Sequence, residues 1–526
     1  MSHSPSSEAR QVLKRSGTVA GFTLLSRLLG AVRDLTLSHL FGASGMLDAF
    51  IQAFTIPNMF RRLTAEGSMN LALVPVYTEA RERSGVERAR HFAAQGLGLV
   101  LTATVLLTAL GMCFTPQLVW LFAAGFEARP EQFALTVELT RWMFPYLVLV
   151  SCVAWAMAVL NAEGRFASAA AAPILLNLGI LGGALLLAPG LEEPMLGVAG
   201  GVLLGGAAQV LLQWPSLRGC GLLLRPRSFW TREGSAPEIR QLLGLLGPSL
   251  FGVAAYQLNL IVLRNLASFL PEGQVTHYYN ASRLTELTLG VFAFAITTAS
   301  FPEFSRHVAQ QQWERALGTL RFSTHSTLMI VLPAAAGLVV AAEPITAMLY
   351  LHGAYRWDDV QQTAAALQAF ALSLPMVALI RLQTSAFYAL KDSKTPVRVA
   401  FLSIVVTGGL GYWWSQSLQV TGLALGLSAG TTFQWLVLQA VLRRRLPGTA
   451  DLWTPLRHLG ASVVMGGCVW MLAQRDWSSG PTSLANWGMF LLLLFTGGGL
   501  YAASLLVLQD PYALRLIRRL RRADST

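Results

Sequence analysis

Long apolar runs separated by short charged segments form the main pattern of the sequence. A run of about 20 apolar residues can cross the hydrocarbon core of a bilayer as one α-helix. By this criterion the sequence contains about fourteen transmembrane helices, and it predicts an all-α polytopic membrane protein. The predicted spans are residues 17–40, 46–79, 93–123, 134–160, 167–189, 195–214, 240–268, 276–304, 322–341, 362–390, 397–415, 420–442, 456–474 and 486–508.

The loops between these spans alternate in charge. Arginine and lysine are concentrated in the N-terminus, in the tail and in every second loop, namely 80–91, 215–240, 305–321, 391–398 and 443–445. The loops on the other side carry acidic residues such as Glu192, Glu193 and Glu272. An excess of basic residues is typical of cytoplasmic loops. The pattern therefore predicts that both termini are cytoplasmic and that the basic loops attract anionic membrane lipids.

The composition agrees with a membrane protein. Of the 526 residues, 54% are hydrophobic and 13% are charged, whereas soluble domains have about 25% charged residues. The net charge of +12 comes from short loops between apolar spans, so we expect no nucleic-acid partner. The four cysteines show no metal or disulfide spacing, and no nucleotide-binding GxxxxGK[ST] loop occurs. We expect no metal, no cofactor and no removable signal peptide.

Two proline motifs recur at a nearly constant offset. Pro75 and Pro302 end the second and eighth spans about 227 residues apart, and Pro145 and Pro375 in the fourth and tenth spans are 230 apart. A repeat of six spans keeps its orientation, so the halves should be related by a pseudo-two-fold axis along the membrane normal. The predicted parts are an N-terminus (1–16), a six-helix N-lobe (17–214), a basic linker (215–239), a six-helix C-lobe (240–442), helices 13 and 14 (443–508) and a basic tail (509–526).

Among the arginines inside predicted spans, we single out Arg27, Arg33, Arg61 and Arg62 in the first two spans and Arg283 in the eighth. A charge at the bilayer centre costs at least ~2.5–3.5 kcal/mol, so such residues usually face a watery cavity or a partner. Arginine also suits phosphate, because its planar guanidinium donates paired hydrogen bonds and stays charged. The group predicts a cavity that binds an anion.

Acidic residues near these arginines leave two interpretations open. Arg27 and Asp34 share a helix face, whereas Arg33 points about 120° away from Arg27 on a regular helix, so both would meet one ligand only if the helix bends at Gly30. Arg33 beside Asp34 would otherwise mark a membrane interface. Asp48 either caps the second span or acts as a gate.

Two further pairs have the spacing of ion pairs on one helix. Arg62 and Glu66 are four residues apart, and Arg283 and Glu286 are three apart. Each pair is either structural or part of the cavity. If Arg62 and Glu66 pair, Arg61 is the charge left to face a ligand.

The sequence resembles the MurJ (MviN) lipid II flippases, a family of the multidrug/oligosaccharidyl-lipid/polysaccharide exporter superfamily. The resemblance covers essentially the whole chain and is strongest in SRLLGAVRD, in FGASGMLDAFIQAFTIPNMFRRLTAEGSMNLALVPVY, in YYNASRLTELTLGVFAFAI and around KDSKTPV. It implies two six-helix lobes around a cationic cavity, with a groove for the lipid tail beside the last two helices. By position in the motifs, the family's essential arginines fall on Arg27, Arg33, Arg61 and Arg283, and its sensitive residues on Ser26, Asp34, Asp48, Glu66 and Glu286.

One position departs from the family pattern. Ser282 stands where the family often has an acidic residue, which leaves Glu286 as the partner expected for Arg283. The sodium site of some members is not carried over, because no Asp occurs in the seventh or eleventh span.

The resemblance implies a transporter rather than an enzyme. Such a protein moves lipid II from the inner to the outer leaflet of the bacterial cytoplasmic membrane by alternating access, for peptidoglycan synthesis and cell shape, driven by the membrane potential or an ion gradient. Lipid II and the cell-wall synthesis machinery are the implied partners. The alternatives are a flippase for another lipid-linked glycan, a drug or cation antiporter of the same superfamily, and a glycosyltransferase using outer-loop carboxylates such as Asp358 and Asp359.

Overall fold

The computed structural model describes residues 5–64, 68–222, 226–228, 237–446 and 453–510, and the regular secondary structure of these ranges is helical. Short 3-10 or π segments follow α4, α7 and α16. The α-helices are α1 (Pro5–Phe41), α2 (Gly45–Thr64), α3 (Ser68–Cys113), α4 (Thr115–Ala123), α5 (Pro130–Met143), α6 (Tyr146–Ala162), α7 (Ala167–Gly182), α8 (Pro194–Arg218), α9 (Pro237–Ser268), α10 (Gln274–Ala309), α11 (Trp313–Val340), α12 (Ala342–Tyr350), α13 (Trp357–Ala371), α14 (Leu374–Ala389), α15 (Lys394–Arg445), α16 (Trp453–Ala473) and α17 (Leu484–Val507).

Nine helical segments in these ranges are long and apolar enough to cross a membrane. The all-helical membrane fold is thus confirmed, whereas the count of fourteen spans is not and stays a prediction. α1 and α2 are not among the nine, and both carry several charged residues. The segments are Met69–Cys113, Pro130–Ala162, Ala167–Gly190, Pro194–Arg218, Trp313–Val340, Trp357–Ala389, Lys394–Arg445, Pro455–Ala473 and Leu484–Val507.

Several predicted boundaries differ from the structure. The segment 80–91, expected to be a loop, is helical on both sides of Gly85, whose non-helical backbone angles (φ 84°, ψ 171°) divide α3 into two helical parts. By contrast, the predicted break between 415 and 420 is confirmed, because Gln419 has non-helical backbone angles (φ 50°, ψ −130°) and divides α15 into two helical arms. The predicted span 46–79 is divided between α2 and α3, and residues 65–67 lie outside the described ranges.

The chain forms two compact units. Unit 1 comprises residues 1–38 and 44–261, and unit 2 comprises residues 39–43 and 262–526. The division falls inside α9, whereas the sequence places it in the basic linker 215–239. The boundaries of the six-helix lobes therefore stay a prediction.

In unit 1, glycines allow α7 and α8 to approach very closely. A Cβ atom at Gly179 would lie 2.5 Å from the carbonyl oxygen of Gly201 and from the Cα of Gly205, and one at Gly183 would lie 2.5 Å from the Gly197 oxygen. Small residues at intervals of four are typical of membrane helices in close backbone contact. The glycines therefore set the distance between these helices.

In unit 2, the two arms of α15 pack in the same way. A Cβ at Gly426 would collide with the backbone of Gly411, and one at Gly430 would collide with the Thr407 hydroxyl. With Gly422, these glycines form a second row at intervals of four.

The two glycine rows have matching positions in the proposed repeat. The row in α8 begins at Gly197 and the row in α15 begins at Gly422, 225 residues later. This offset is close to the 227 and 230 residues that separate the proline motifs, so each unit contains its own copy of one packing motif. The agreement supports the predicted six-span repeat.

The last two helices of the described chain pack within unit 2. α16 contacts α11 and α17. The Tyr501 hydroxyl of α17 donates a hydrogen bond to the Met329 carbonyl of α11 at 2.6 Å. These two helices extend the structure beyond the repeated part.

Candidate functional site

Arg33 is buried in unit 1 and is held by two partners. Its Nε and Nη2 donate hydrogen bonds to Oδ1 of Asp34 at 2.9 and 2.6 Å, and its Nη1 donates to Oδ1 of Asn177 at 3.0 Å. The Arg33 and Asp34 side chains are only 7% and 6% exposed. A buried charge is tolerated when it is paired and hydrogen-bonded. The adjacent carboxylate therefore balances the charge of Arg33 inside the protein.

Asn177 joins α7 to α1 at this point. Its Nδ2 donates a hydrogen bond to the Ser26 carbonyl at 3.0 Å, while its Oδ1 accepts from Arg33. Gly30 lies beside this amide, where a Cβ would be in ordinary van der Waals contact with Nδ2 at 3.6 Å. The sequence reasoning missed Asn177, although a lone amide in the apolar run PILLNLGIL is a detectable signal.

Arg27 differs from Arg33 because it is exposed on α1. Its neighbours Leu24 and Leu28 are also exposed, each at 57%. An arginine that protein does not cover, inside an apolar helix, must find water or an anion. Between Arg27 and Arg33, Arg27 is therefore the one whose charge is available to a ligand.

On α2, the predicted residues are only partly described. The Ser44 hydroxyl accepts a hydrogen bond from the Leu47 amide at 3.4 Å, so Ser44 occupies the capping position that was one interpretation of Asp48. Asp48 is fully buried in the first turn of α2. Arg61 is partly buried, and its Nε donates to Asn58 Oδ1 at 2.7 Å. The predicted Arg62–Glu66 pair lies outside the described side chains.

In unit 2, Arg283 forms the expected pair with Glu286. Its Nη1 lies 3.0 Å from Glu286 Oε2, and the two side chains are 35% and 46% exposed. The Ser282 hydroxyl donates to the Tyr279 carbonyl at 2.8 Å. Arg283 is therefore partly open while one carboxylate holds it.

A second arginine lies beside Arg283. The guanidinium groups of Arg264 and Arg283 lie 5.6 and 5.5 Å from the centroid of the Tyr279 ring. Such cation–π contacts attract guanidinium groups to the face of an aromatic ring. Arg264 therefore belongs to the same cluster as Arg283.

The candidate residues are distributed over both units. Arg27, Arg33 and Arg61 belong to unit 1 and Arg283 to unit 2. Their convergence on one ligand stays a prediction. Among the described residues, no group of three or more His, Cys, Asp or Glu side chains is arranged to hold a metal ion. The cationic side chains of these four arginines have the chemistry that suits anion binding.

Comparison with known proteins agrees with this chemistry. The family described as "Lipid II flippase MurJ" matches residues 37–489. The chain belongs to the lipid II flippase MurJ family. A "Probable lipid II flippase MurJ" of Haemophilus influenzae is 33% identical over 92% of this chain and 98% of its own. The "Lipid II flippase MurJ" of Burkholderia cenocepacia is 33% identical over 88% of this chain and 90% of its own.

Solved structures show that the MurJ family member has the expected fold. A structure titled "Lipid II flippase MurJ, inward closed conformation" aligns with a TM-score of 0.78 and 23% identity, covering 95% of this chain and 99% of the other. An inward-facing multidrug resistance MATE family transporter of the MOP superfamily aligns with a TM-score of 0.67 and 14% identity, covering 82% and 98%. These likenesses show the fold. Membership of the lipid II flippase MurJ family makes the protein a transporter of the bacterial inner membrane rather than an enzyme.

Proposed function

We propose that this MurJ family member moves lipid II, the undecaprenyl-diphosphate-linked disaccharide-peptide, from the inner to the outer leaflet for peptidoglycan synthesis. The observation that carries the proposal is the presence, in both units, of arginines inside otherwise apolar helices: exposed Arg27 and paired Arg33 in unit 1, and partly exposed Arg283 in unit 2. Lipid II is inferred as the substrate from the names of the related flippases.

The arginines have different tasks in this proposal. Arg27 and Arg283 are exposed enough to bind the diphosphate, and Arg61 contributes a third charge. Arg33 is already bonded to Asp34 and Asn177, so it positions α1 rather than contacting the diphosphate directly. Ser26, Asp48, Arg62, Glu66 and Glu286 support or gate the cavity. Alternating access between the repeated halves would open the site to one leaflet and then to the other.

The test is the leaflet position of the precursor. Cells depleted of the chromosomal protein would carry wild type or Ala variants of Arg27, Arg33, Arg61 or Arg283, and an added enzyme would cleave only exposed head groups. We expect intact, shielded precursor to accumulate in the variants. Arg83→Ala is the matched control, since Arg83 is 79% exposed and pairs only with nearby Glu79.

Three outcomes decide the proposal. Normal growth of three of the four variants would overturn the arginine assignment. Accumulated precursor that is fully cleaved from outside would place the block after flipping. No accumulation on depletion would indicate another lipid-linked glycan as substrate.

The orientation belongs to the same proposal. The basic loops support cytoplasmic positions for both termini. In this orientation the loops would be accessible to cell-wall synthesis proteins on the cytoplasmic side. Single cysteines in the tail and in the acidic segment Leu191–Glu193 should react with an impermeant thiol reagent only at the latter site. Labelling of the tail in intact cells would contradict this orientation.

A further inference from the structure

A basic cavity lies in unit 2 at the junction of α14 and α15. It has a volume of about 470 Å³, and its lining residues are Leu390, Lys391, Asp392, Ser393, Lys394, Thr395, Arg398 and Arg445. Four of these side chains are cationic and one is acidic. The cavity therefore carries an excess of positive charge.

The single carboxylate of the cavity is already occupied. Asp392 accepts hydrogen bonds from the Lys394 and Thr395 amides, each at 3.0 Å, and from the Thr395 hydroxyl at 2.6 Å. It also pairs with Arg445 at 2.8 Å, which joins the start of α15 to its end. The helix N-terminus is thus capped from within the protein, and Arg445 is neutralised.

Three cations remain for a ligand. Lys391, Lys394 and Arg398 are exposed. Among the described residues, their side chains form no hydrogen bond or ion pair. Three such charges around one cavity create a local field suited to a phosphate group.

An exposed apolar stripe on α15 begins next to the cavity. Phe401, Leu402 and Val405 follow Arg398 by three, four and seven residues, so they lie on its face of α15. They are 47%, 55% and 72% exposed. In a membrane helix this apolar stripe faces acyl chains, and Arg398 lies where the stripe begins. A phosphate held by Arg398 would therefore have its lipid tails beside the stripe.

We propose that this cavity binds the phosphate headgroup of an anionic phospholipid in the adjacent leaflet. Lys391, Lys394 and Arg398 contact the phosphate, while Phe401, Leu402 and Val405 contact the acyl chains. The site is separate from the candidate arginines and does not depend on the proposed flipping activity. It is a defined site, in contrast to general attraction between basic loops and membranes.

The experiment measures lipid retention by the purified full-length protein. Phosphatidylglycerol would be titrated into delipidated protein, with zwitterionic phosphatidylethanolamine as the comparison lipid without net charge. Native mass spectrometry would measure the bound lipid. The variant Lys394→Gln/Arg398→Gln should bind phosphatidylglycerol about 30-fold more weakly, from about 1 kcal/mol per basic residue near an anionic surface. Arg398→Lys should retain most of the binding, because it keeps the charge.

A charge-matched control separates a site from general attraction. Arg306→Gln/Arg315→Gln removes two exposed basic residues elsewhere in unit 2 and should leave binding unchanged. Equal loss in both double variants, or equal retention of both lipids by the wild type, would overturn the proposal. Displacement of the lipid by millimolar inorganic phosphate would show that the ligand is free phosphate rather than lipid. An unchanged melting temperature checks that each variant is folded.

Discussion

At the scale of single residues, Arg27 and Arg33 lie on the same helix but differ in burial. Arg33 is only 6% exposed and donates hydrogen bonds to Asp34 and Asn177, whereas Arg27, six residues earlier on the same helix, is exposed. The difference arises because α7 supplies a polar partner to Arg33. A buried, bonded arginine positions a site, and an exposed one in an apolar helix is available to bind a ligand.

Asn177→Leu should reduce flipping without preventing membrane insertion. The change removes the hydrogen bonds to Arg33 and to the Ser26 carbonyl, each worth about 1 kcal/mol between membrane helices, and leaves Arg33 with less support. The leaflet-accessibility assay measures the effect. Gln209→Leu is the control, because it removes another hydrogen bond to α7, from Gln209 Nε2 to the Ala172 carbonyl at 2.9 Å. Equal loss of flipping in both variants would show a general packing effect.

A double variant tests whether Arg283 is more than the partner of Glu286. Their ion pair is partly exposed, so its loss should cost at most about 1 kcal/mol of stability. If Arg283 binds substrate, Arg283→Ala should abolish flipping, and adding Glu286→Ala should not restore it. Complementation of depleted cells gives the result. Recovery in the double variant would mean that Arg283 only neutralises Glu286.

The sequence could identify the arginines but not all of their partners. The pairing of Arg283 with Glu286 follows from spacing along one helix, and the structure contains it. The contact from Asn177 to Arg33 spans 144 residues, and no local pattern encodes such a distance. The burial of Arg33 was also not predictable, because it depends on the approach of α7.

At the scale of helices, close packing by glycine gives a sharp prediction for α8. Gly201→Ala should destabilise unit 1 by about 1–3 kcal/mol, the usual cost of overpacking, because its Cβ would collide with α7 backbone. Gly200→Ala is the control, since its Cβ would meet only Leu187 Cδ1 at 3.7 Å. Thermal unfolding of both purified variants measures the difference. Equal melting temperatures would contradict the close approach.

In segment 80–91, the helical part of α3 that follows Gly85 contacts α9, and the sequence did not reveal this contact. Arg88 donates two hydrogen bonds of 2.9 Å to Glu238, which lies 150 residues away at the start of α9. A run of charges was taken for a loop, although charged residues such as Glu and Arg are good helix formers. The contact with α9 stabilises the helix there, so α3 extends beyond the apolar part.

This pair predicts a pH-dependent contribution to stability. The hydrogen bonds from Arg88 hold the pKa of Glu238 below its usual value of 4.5. A lowered folded-state pKa contributes stability above the unfolded value, and that contribution disappears as the pH falls through the folded value. Glu238→Gln should therefore unfold at a lower temperature than wild type at neutral pH, with the difference vanishing in strong acid. Glu87→Gln, whose side chain is 87% exposed, should behave as wild type, and a difference for Glu238→Gln that persists in acid would exclude the ion pair as its cause.

At the scale of the whole molecule, the six-span repeat was predictable because proline and glycine motifs recur in both halves at nearly the same offset. Two proline offsets indicated six-span halves, and the glycine rows beginning at Gly197 and Gly422 have nearly the same offset. The limits of the compact units were not predictable. The division inside α9, and the inclusion of residues 39–43 in unit 2, depend on contacts between distant segments rather than on local composition.

For the complete transporter, we predict that the membrane potential drives flipping. A lipid diphosphate with two charges moving outward across an interior-negative membrane gains about 4.6 kcal/mol per 100 mV, which is enough to drive directional flipping without a nucleotide. Collapsing the potential with valinomycin and external potassium should therefore slow the appearance of precursor in the outer leaflet. Nigericin, which removes the proton gradient but keeps the potential, should leave the rate unchanged. If nigericin alone stopped flipping, an ion gradient would be the driving force, and unchanged flipping after loss of the potential would exclude the potential as the source.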